Sequence, residues 1–363
     1  MKVFALLTDA FGGHGGIALY NRDILSALCR HKQVAEVIAV ARCAEEHPAV
    51  YPEKLTYDTS GIKNGFSFIK AVFRIILKNP GFDFILCAHI NLMPLAWLVG
   101  KILRAPVILE VYGIDAWQPR GKWLAERLCT SASAVISISE YTRVRFLSWS
   151  RVSPEKCKIL PNAIHAEKYG VGSKPEALIQ RYGLEDKKVL LTLGRIVSKE
   201  RAKGFDEILD VLPELLLSHP ALVYLIAGDG EYADALKSKV SALKLNNHVV
   251  FTGMVDEAEK ADIYRLADVY VMPSRGEGFG FVFLEALACG IPVVASKLDG
   301  SREAVLDGQL GAIVDPDKPL EIKLAISEAL GKRPKIPEKL EYFSFENFTL
   351  RLHNIIDEVI SPK

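Results

Sequence analysis

Short, nearly continuous apolar runs recur along the chain, separated by segments of helix length. In the first half they read KVFALLT, EVIAVAR, FDFILCAH, APVILEVYG, AVISISE and CKILPN. In the second half they read KVLLTLGR, LVYLIAGDG, VVFTG, VYVMPSR, PVVAS and GAIVDP. A strand with one wet face alternates apolar and polar residues, and these runs do not. Both faces are therefore covered, which predicts parallel sheets flanked by helices. The apolar stretch from Phe84 to Leu103 holds His89, Asn91 and Pro94 and predicts strand, loop and helix rather than a membrane span. Near residues 165–183 the apolar runs give way to a polar segment with Gly and Pro, which marks a boundary between two sheets. Beyond Ser344, a candidate cap, apolar residues at helical spacing (Phe348, Leu352, Ile355, Ile356, Val359) predict a final helix.

Length and composition sharpen this picture. A chain of 363 residues exceeds one ordinary core, so the fold class predicted is α/β, with two doubly wound, Rossmann-like domains facing across a cleft. With 45 basic and 44 acidic residues the net charge is +1, which argues against nucleic acid as a partner. Six scattered cysteines without a C-x-x-C pair predict a reducing compartment and no zinc site. The apolar run at the amino terminus is short and stops in glycines, so it reads as a first strand and not as a leader.

Ligands on such sheets bind beyond the carboxyl ends of strands, where loops enter helices, so three loops carry the candidate chemistry. The first, residues 8–25, has Gly12, Gly13, Gly15 and Gly16 ahead of an amphipathic segment, and such a turn lets a backbone approach phosphate or sugar. Gly13 to Ala18 also fits the relaxed dinucleotide pattern G-x-G-x-x-A, but the second strand ends in Ala41, Arg42 and Cys43 instead of an acid. In the second loop Arg195 follows a strand and Lys203-Gly204 opens a helix, a fork and a point charge suited to a diphosphate; Lys199 and Arg201 lie between them. The third loop, PSRGEGFG, leads into a helix over Phe281–Ala288 that ends at Gly290 and Pro292. It carries Glu277, and the helix carries Glu285. Carboxylates repel phosphate but accept from the vicinal hydroxyls of a sugar. A ligand with both parts, a nucleotide sugar, reconciles the cations with the acids.

At this point the motifs resemble a known family. EGFGFVFLE matches the E-x7-E motif of the retaining GT-B glycosyltransferases, the group called glycosyltransferase family 4. The Gly-Gly loop, GR…KG, AGDGEY at 227–232, VVFTGMV at 249–255 and ACGIPVVAS at 288–296 follow the same order. The resemblance implies an acceptor-binding domain over 1–165, a donor-binding domain over 166–343 and a helix over 344–363 that packs back on the first domain. It implies that Arg195 and Lys203 hold the donor diphosphate, Glu285 the ribose and Glu277 the transferred sugar. The backbone around Phe281 and Val282 would receive phosphate, and Gly278, Phe279 and Gly280 would also bind the donor. Val250, Phe251 and Met254 would line the base pocket, with Gly194, Gly228 and Gly230 bordering the donor; Gly16 would face the phosphate or acceptor from the other domain, and Gly15, His14, His89, Tyr112 and Asp115 would lie on the acceptor or sugar side. The donor implied is a UDP- or GDP-sugar, and the acceptor a glycan or lipid-linked hydroxyl in polysaccharide or glycolipid synthesis.

The chain departs from the family in three places. The family's His-Gly-x-Asp reads Tyr112-Gly113-Ile114-Asp115, which puts a phenol where an imidazole stands and leaves His14 and His89 as replacements. The usual Gly-Gly reads Asp299-Gly300, and the segment between Arg195 and Lys203 is longer. No metal is expected: the one D-x-D, Asp315-Pro316-Asp317, has turn chemistry, and fixed cations serve the leaving diphosphate. Lys70, Arg74 and Lys78, spaced by four among Phe66, Ile69, Phe73 and Leu77, and a second patch at Arg143, Arg145, Trp149 and Arg151, are candidates for peripheral contact with an anionic membrane from the cytoplasmic side. A nucleotide-sugar epimerase of the same fold and a non-catalytic nucleotide-sugar binder are the rival readings.

Overall fold

The structure, a computed structural model, describes residues 1–13, 15–43, 50–197 and 203–360. It divides into two compact units, Met1–Ala163 with the segment from Phe345 onward, and Ile164–Ser344. Each is a parallel sheet wrapped by helices.

The first unit runs β1 (Lys2–Leu7), α1 (Gly16–Arg30), β2 (Glu36–Ala41), β3 (Leu55–Asp58), α2 (Gly65–Lys78), β4 (Phe84–Cys87), α3 (Met93–Leu103), β5 (Val107–Val111), α4 (Trp123–Leu128), β6 (Ala134–Ser137), α5 (Glu140–Ser150) and β7 (Cys157–Ile159). The strand order is β3-β2-β1-β4-β5-β6-β7. β1 lies inside the sheet, with Ala5 opposite Ala39 on one side and Leu86 on the other. Its residues Val3 to Leu7 are fully buried, which explains the unbroken apolar run. Among the described residues, β3 is the one strand that the apolar pattern does not predict. It is an edge strand of four residues in which only Leu55 is buried.

α13 (Phe345–Ile360) belongs to this unit and packs along α1. The Phe348 ring meets Tyr20 edge-on at 5.7 Å, and the His353 ring nitrogen sits 2.8 Å from the Ala27 carbonyl. Beside it His31 contacts Asp357, and burial lowers the imidazole pKa of His31.

The second unit runs α6 (Glu176–Tyr182), β8 (Lys188–Leu193), α7 (Phe205–Ser218), β9 (Leu222–Ala227), α8 (Ala233–Ala242), β10 (Val249–Gly253), α9 (Lys260–Leu266), β11 (Val269–Met272), α10 (Phe281–Ala288), β12 (Val293–Ser296), α11 (Ser301–Ala304), β13 (Ala312–Val314) and α12 (Pro319–Leu330). Its order is β10-β9-β8-β11-β12-β13, with Leu191 of β8 opposite Leu225 and Tyr270. The helix predicted over Phe281–Ala288 forms there. It starts at Gly280 in a left-handed conformation (φ +96°) and ends where the Gly290 and Ile291 amides donate back to Leu287 and Ala286.

Candidate functional site

In a doubly wound sheet the loops on either side of the strand-order reversal diverge and leave a crevice. In the second unit that point lies between β8 and β11, so the loops meeting there are those of Arg195 and Glu277. Arg195 is exposed at the end of β8. The backbone around it is braced by the loop after β9: Gly194 N donates to Ala227 O (2.9 Å), and Ile196 N to Asp229 O (3.0 Å). A Cβ on Gly228 would fall 2.0 Å from Gly194 O, and one on Gly230 would fall 2.2 Å from Ile196 O. Both glycines are thus required by the neighbouring chain, whatever ligand they border.

Lys203 reaches the crevice because of the residue after it. Gly204 takes φ +81° and lies so close to the loop after β11 that a Cβ would meet Pro273 O at 2.6 Å. Lys203 Nζ then lies 2.6 Å from Glu277 Oε2, with side chains 18% and 17% exposed. The candidate phosphate cation and the candidate sugar carboxylate are therefore paired with each other. Lys199 and Arg201 lie outside the described residues. The other oxygen of Glu277 accepts from the Gly278 amide (3.1 Å). Glu277 and Gly280 touch as well, since a Cβ on Gly280 would sit 3.2 Å from the Glu277 Cγ.

Behind Gly280, α10 begins without a side-chain cap, and Phe281 and Val282 are half-buried in its first turn. Their amides are open donors at the positive end of a helix, a suitable seat for an anion. Phe279 corrects one expectation: it is 1% exposed and its ring packs edge-on against Phe343 at 5.5 Å, so its side chain belongs to the core and only its main chain borders the crevice. Glu285, one turn into α10, is 3% exposed; Lys260 Nζ donates to one oxygen (2.6 Å) and Tyr264 Oη to the other (2.7 Å). Tyr169 also hydrogen-bonds this carboxylate, so one of its four acceptor positions remains for a further donor. Lys260 and Tyr264 come from α9, and no local signal in the sequence points to them. Val250 and Phe251 are half-buried near the end of β10, while Met254 stands 85% exposed just beyond it. The groove of about 590 Å³ along β13 and α12 contains none of these residues.

In the first unit the strand order reverses between β1 and β4, which brings together the glycine loop and the loop of His89. A Cβ on Gly13 would lie 1.7 Å from Asp9 Oδ2, so this glycine makes room for a side chain. Gly15 caps α1 with no side-chain acceptor, and both Gly15 and Gly16 are exposed at the helix start. His14 lies outside the described residues. His89 is half-buried, and its Nδ1 accepts from the Asn91 amide (3.0 Å). It lines a cleft of about 90 Å³ with Asp115, Gln118, Arg120 and Lys122. Burial raises the Asp115 carboxyl and lowers the His89 imidazole, and each opposes the other's shift.

Tyr112 corrects a second expectation. It is buried, and its hydroxyl points into the domain, where it lies 2.6 Å from Glu110 Oε2, 2.8 Å from Asn21 Oδ1 and 2.9 Å from Ala88 O. The phenol is therefore not offered to a reacting sugar. All three neighbours are acceptors and the phenol has one proton. The hydroxyl donates among them, and burial pushes the fully buried Glu110 carboxyl up to about 7. Three residues of the second basic patch are engaged within the unit, while Arg151 is exposed. Arg143 pairs with Glu140, Arg145 lies over Trp117, and Trp149 donates to Ala116 O.

Residues 175–345 match the family model "Glycosyl transferases group 1", and residues 14–168 match "Glycosyltransferase Family 4". The chain is 29% identical over 342 residues to the GDP-mannose-dependent alpha-(1-6)-phosphatidylinositol monomannoside mannosyltransferase of Mycolicibacterium smegmatis, covering 87% of this chain and 86% of that one. It is 31% identical over 254 residues to the alpha-monoglucosyldiacylglycerol synthase of Streptococcus pneumoniae, covering 66% of this chain and 55% of that one. Among solved structures, HepE of Anabaena in complex with UDP superposes with a TM-score of 0.78 at 21% identity, covering 99% of this chain and 100% of that one. Sucrose-phosphate synthase of Thermosynechococcus elongatus superposes with a TM-score of 0.77 at 19% identity, covering 99% of each chain.

Proposed function

Since the chain belongs to the glycosyltransferases of group 1 and family 4 and has their GT-B fold, we propose that it is a retaining, metal-independent transferase that moves a sugar from a nucleoside-diphosphate sugar to a hydroxyl of a lipid-linked acceptor. The observation that carries this reading is the meeting of Lys203 and Glu277 at the start of α10, at the strand-order reversal of the second unit. A diphosphate seated there takes Lys203, Arg195 and the amides of Phe281 and Val282. The sugar beyond it takes Glu277, and the ribose takes Glu285 through its remaining acceptor position. As the glycosidic bond breaks, charge gathers on the departing diphosphate, where the cations and the helix amides are already oriented. Metal independence is supported by the D-x-D carboxylates, which are engaged with their neighbours: Asp315 accepts from the Asp317 amide (3.0 Å), and Asp317 pairs with Arg275 (2.7 Å).

The lipid acceptor is supported by the names of two relatives, both of which refer to a lipid, and by α2. The buried face of α2 is Phe68, Ala71, Val72, Ile75 and Ile76. That leaves Phe66 (78%), Ile69 and Leu77 (81%) exposed beside Lys70 and Lys78, with Arg74 paired to Asp58. α3 packs next to it and adds exposed Leu98, Lys101 and Ile102. An apolar stripe lined by cations fits an anionic membrane surface. No described helix is long and apolar enough to cross a membrane.

A thermal-shift panel of UDP-, GDP-, ADP- and dTDP-sugars with and without EDTA tests the donor site. One donor should stabilise the protein by about 2.7 kcal/mol at a hundred times Kd, equally in EDTA. No shift with any donor, or a shift only when metal is present, contradicts the reading.

A further inference from the structure

Among the fully buried carboxylates of the second unit is Asp299, in the turn between β12 and α11. Its Oδ2 accepts from Ser274 Oγ (2.7 Å) and from the Glu277 amide (2.8 Å). Its Oδ1 accepts from the Ser301 amide (3.0 Å) and from Ser301 Oγ (2.6 Å). The next residue completes the grip. Gly300 N donates to Glu277 O (2.9 Å), and a Cβ at position 300 would lie 2.1 Å from Gly278 O. Both main-chain polar groups of Glu277 are thus held by residues 299 and 300.

We propose that Asp299 is a positioning residue that fixes the loop carrying Glu277, and so aims the Glu277 carboxylate at the transferred sugar. The inference rests on the role given to Glu277 above, but the geometry demands a carboxylate on its own terms. Each oxygen faces one backbone N–H, and an N–H can only donate. An asparagine would turn its amino group toward one of them, and a glycine, the residue the family resemblance places here, would leave both without this partner. Only the ionised acid accepts from all four donors.

Burial opposes that ionisation and holds the Asp299 carboxyl at about 6. Of the charged groups on the elements around it, Glu277 raises it further, and Lys203 lies on the far side of Glu277. Arg275 is directed to Glu207 and Asp317, Lys297 to Glu321, and Arg302 to Asp307, while Glu303 is engaged by contacts of its own. The grip should therefore loosen as pH falls through about 6.

The test compares the parent with Asp299→Asn and with Gly300→Ala, which pushes the same loop from the other side. Three quantities are read: hydrogen–deuterium exchange of the segment 274–280, affinity for UDP and GDP, and kcat for release of nucleoside diphosphate from UDP-glucose and GDP-mannose between pH 5 and 8. We expect exchange to rise at least tenfold in both variants and nucleotide affinity to stay within about threefold. We expect kcat to fall by about 10²-fold, the size of effect that misplacing a reacting group by about 1 Å produces. The parent's loss of kcat below about pH 6 should be absent in Asp299→Asn. Unchanged exchange in a folded variant overturns the proposal, as does loss of nucleotide affinity in parallel with kcat. If Asp299→Asn does not fold, Gly300→Ala decides by the same criteria. Raised exchange in variants of unchanged kcat overturns the aiming of Glu277, and Glu277→Gln then locates the fault: full activity in that variant as well means the role of Glu277 is wrong.

Discussion

The pairing of Lys203 with Glu277 makes an unusual demand on a donor. A diphosphate that claims Lys203 must first displace a carboxylate from it. The pair is 2.6 Å long and mostly shielded from water, with side chains 18% and 17% exposed. Exposed ion pairs hold a few tenths to 1 kcal/mol, and hydrogen bonds to charged groups about 1.5–3 kcal/mol, so about 1–2 kcal/mol is in play here. Glu277→Gln removes the charge but keeps the volume and one oxygen that can accept from the Gly278 amide. Free UDP or GDP lacks the sugar that Glu277 serves, so for it the carboxylate is only a competitor. The variant should bind nucleoside diphosphate about 5–30-fold more tightly than the parent, while kcat for transfer falls. Isothermal titration at low salt reads the affinity, and the gain should shrink as added salt screens the pair in the parent. Equal or weaker binding of both nucleotides by Glu277→Gln would refute the competition between carboxylate and phosphate.

The other predictions concern the first unit. Burial pushes the Glu110 carboxyl up to about 7 from its ordinary value of 4.5, so its contribution to stability is full below about 4.5 and is lost as pH rises through about 7. Glu110→Gln should therefore gain on the parent between those values in denaturant titrations, and parallel curves for the two proteins would contradict the protonated acid. On α2, Phe66→Ser with Leu77→Ser should reduce co-sedimentation with anionic vesicles at low salt while leaving nucleotide binding intact. Each nearby cation should contribute about 1 kcal/mol that salt removes, and vesicle binding equal to the parent's would return this face to ordinary surface. Phe348→Ala, which empties a fully buried site between α13 and α1, should cost about 3–5 kcal/mol by thermal or urea unfolding; a loss under 1 kcal/mol would mean that α13 is not part of that core.

Much of the architecture is legible in the chain because strands covered on both faces leave unbroken apolar runs, and among the described residues twelve of the thirteen strands are marked this way. β3 escapes because an edge strand needs only one dry residue, here Leu55, and LTYD carries no run at all. α2 shows the opposite failure. It is apolar on nearly every side, so spacing alone does not identify the buried face, and the stripe of Phe66, Ile69 and Leu77 proves to be the outer one. At the site, the glycine after Lys203 is what the sequence offers for choosing it, and in the structure Gly204 is what lets the chain approach Pro273. Tyr112 is misjudged because its motif position suggests a crevice, while Glu110, two residues earlier and so on the same face, captures its hydroxyl from within. Of the partners of Glu285, Lys260 and Tyr264 lie on another helix and Tyr169 comes from a distant segment, and only tertiary packing brings them to it. Asp299 is visible in the sequence solely as a departure from Gly-Gly, and its four donors come from three separate residues.

The most direct test of the account is the release of nucleoside diphosphate from its preferred donor in EDTA, measured for the parent and for Arg195→Ala, with the anomeric configuration of the transferred sugar read by NMR. The account predicts full parental activity without metal and retained configuration. It also predicts a loss of about 10²–10³-fold in kcat/KM for the variant, as expected when an oriented donor to developing charge is removed. Activity that returns only with added metal, an inverted product, or an Arg195→Ala rate within a few-fold of the parent would contradict it.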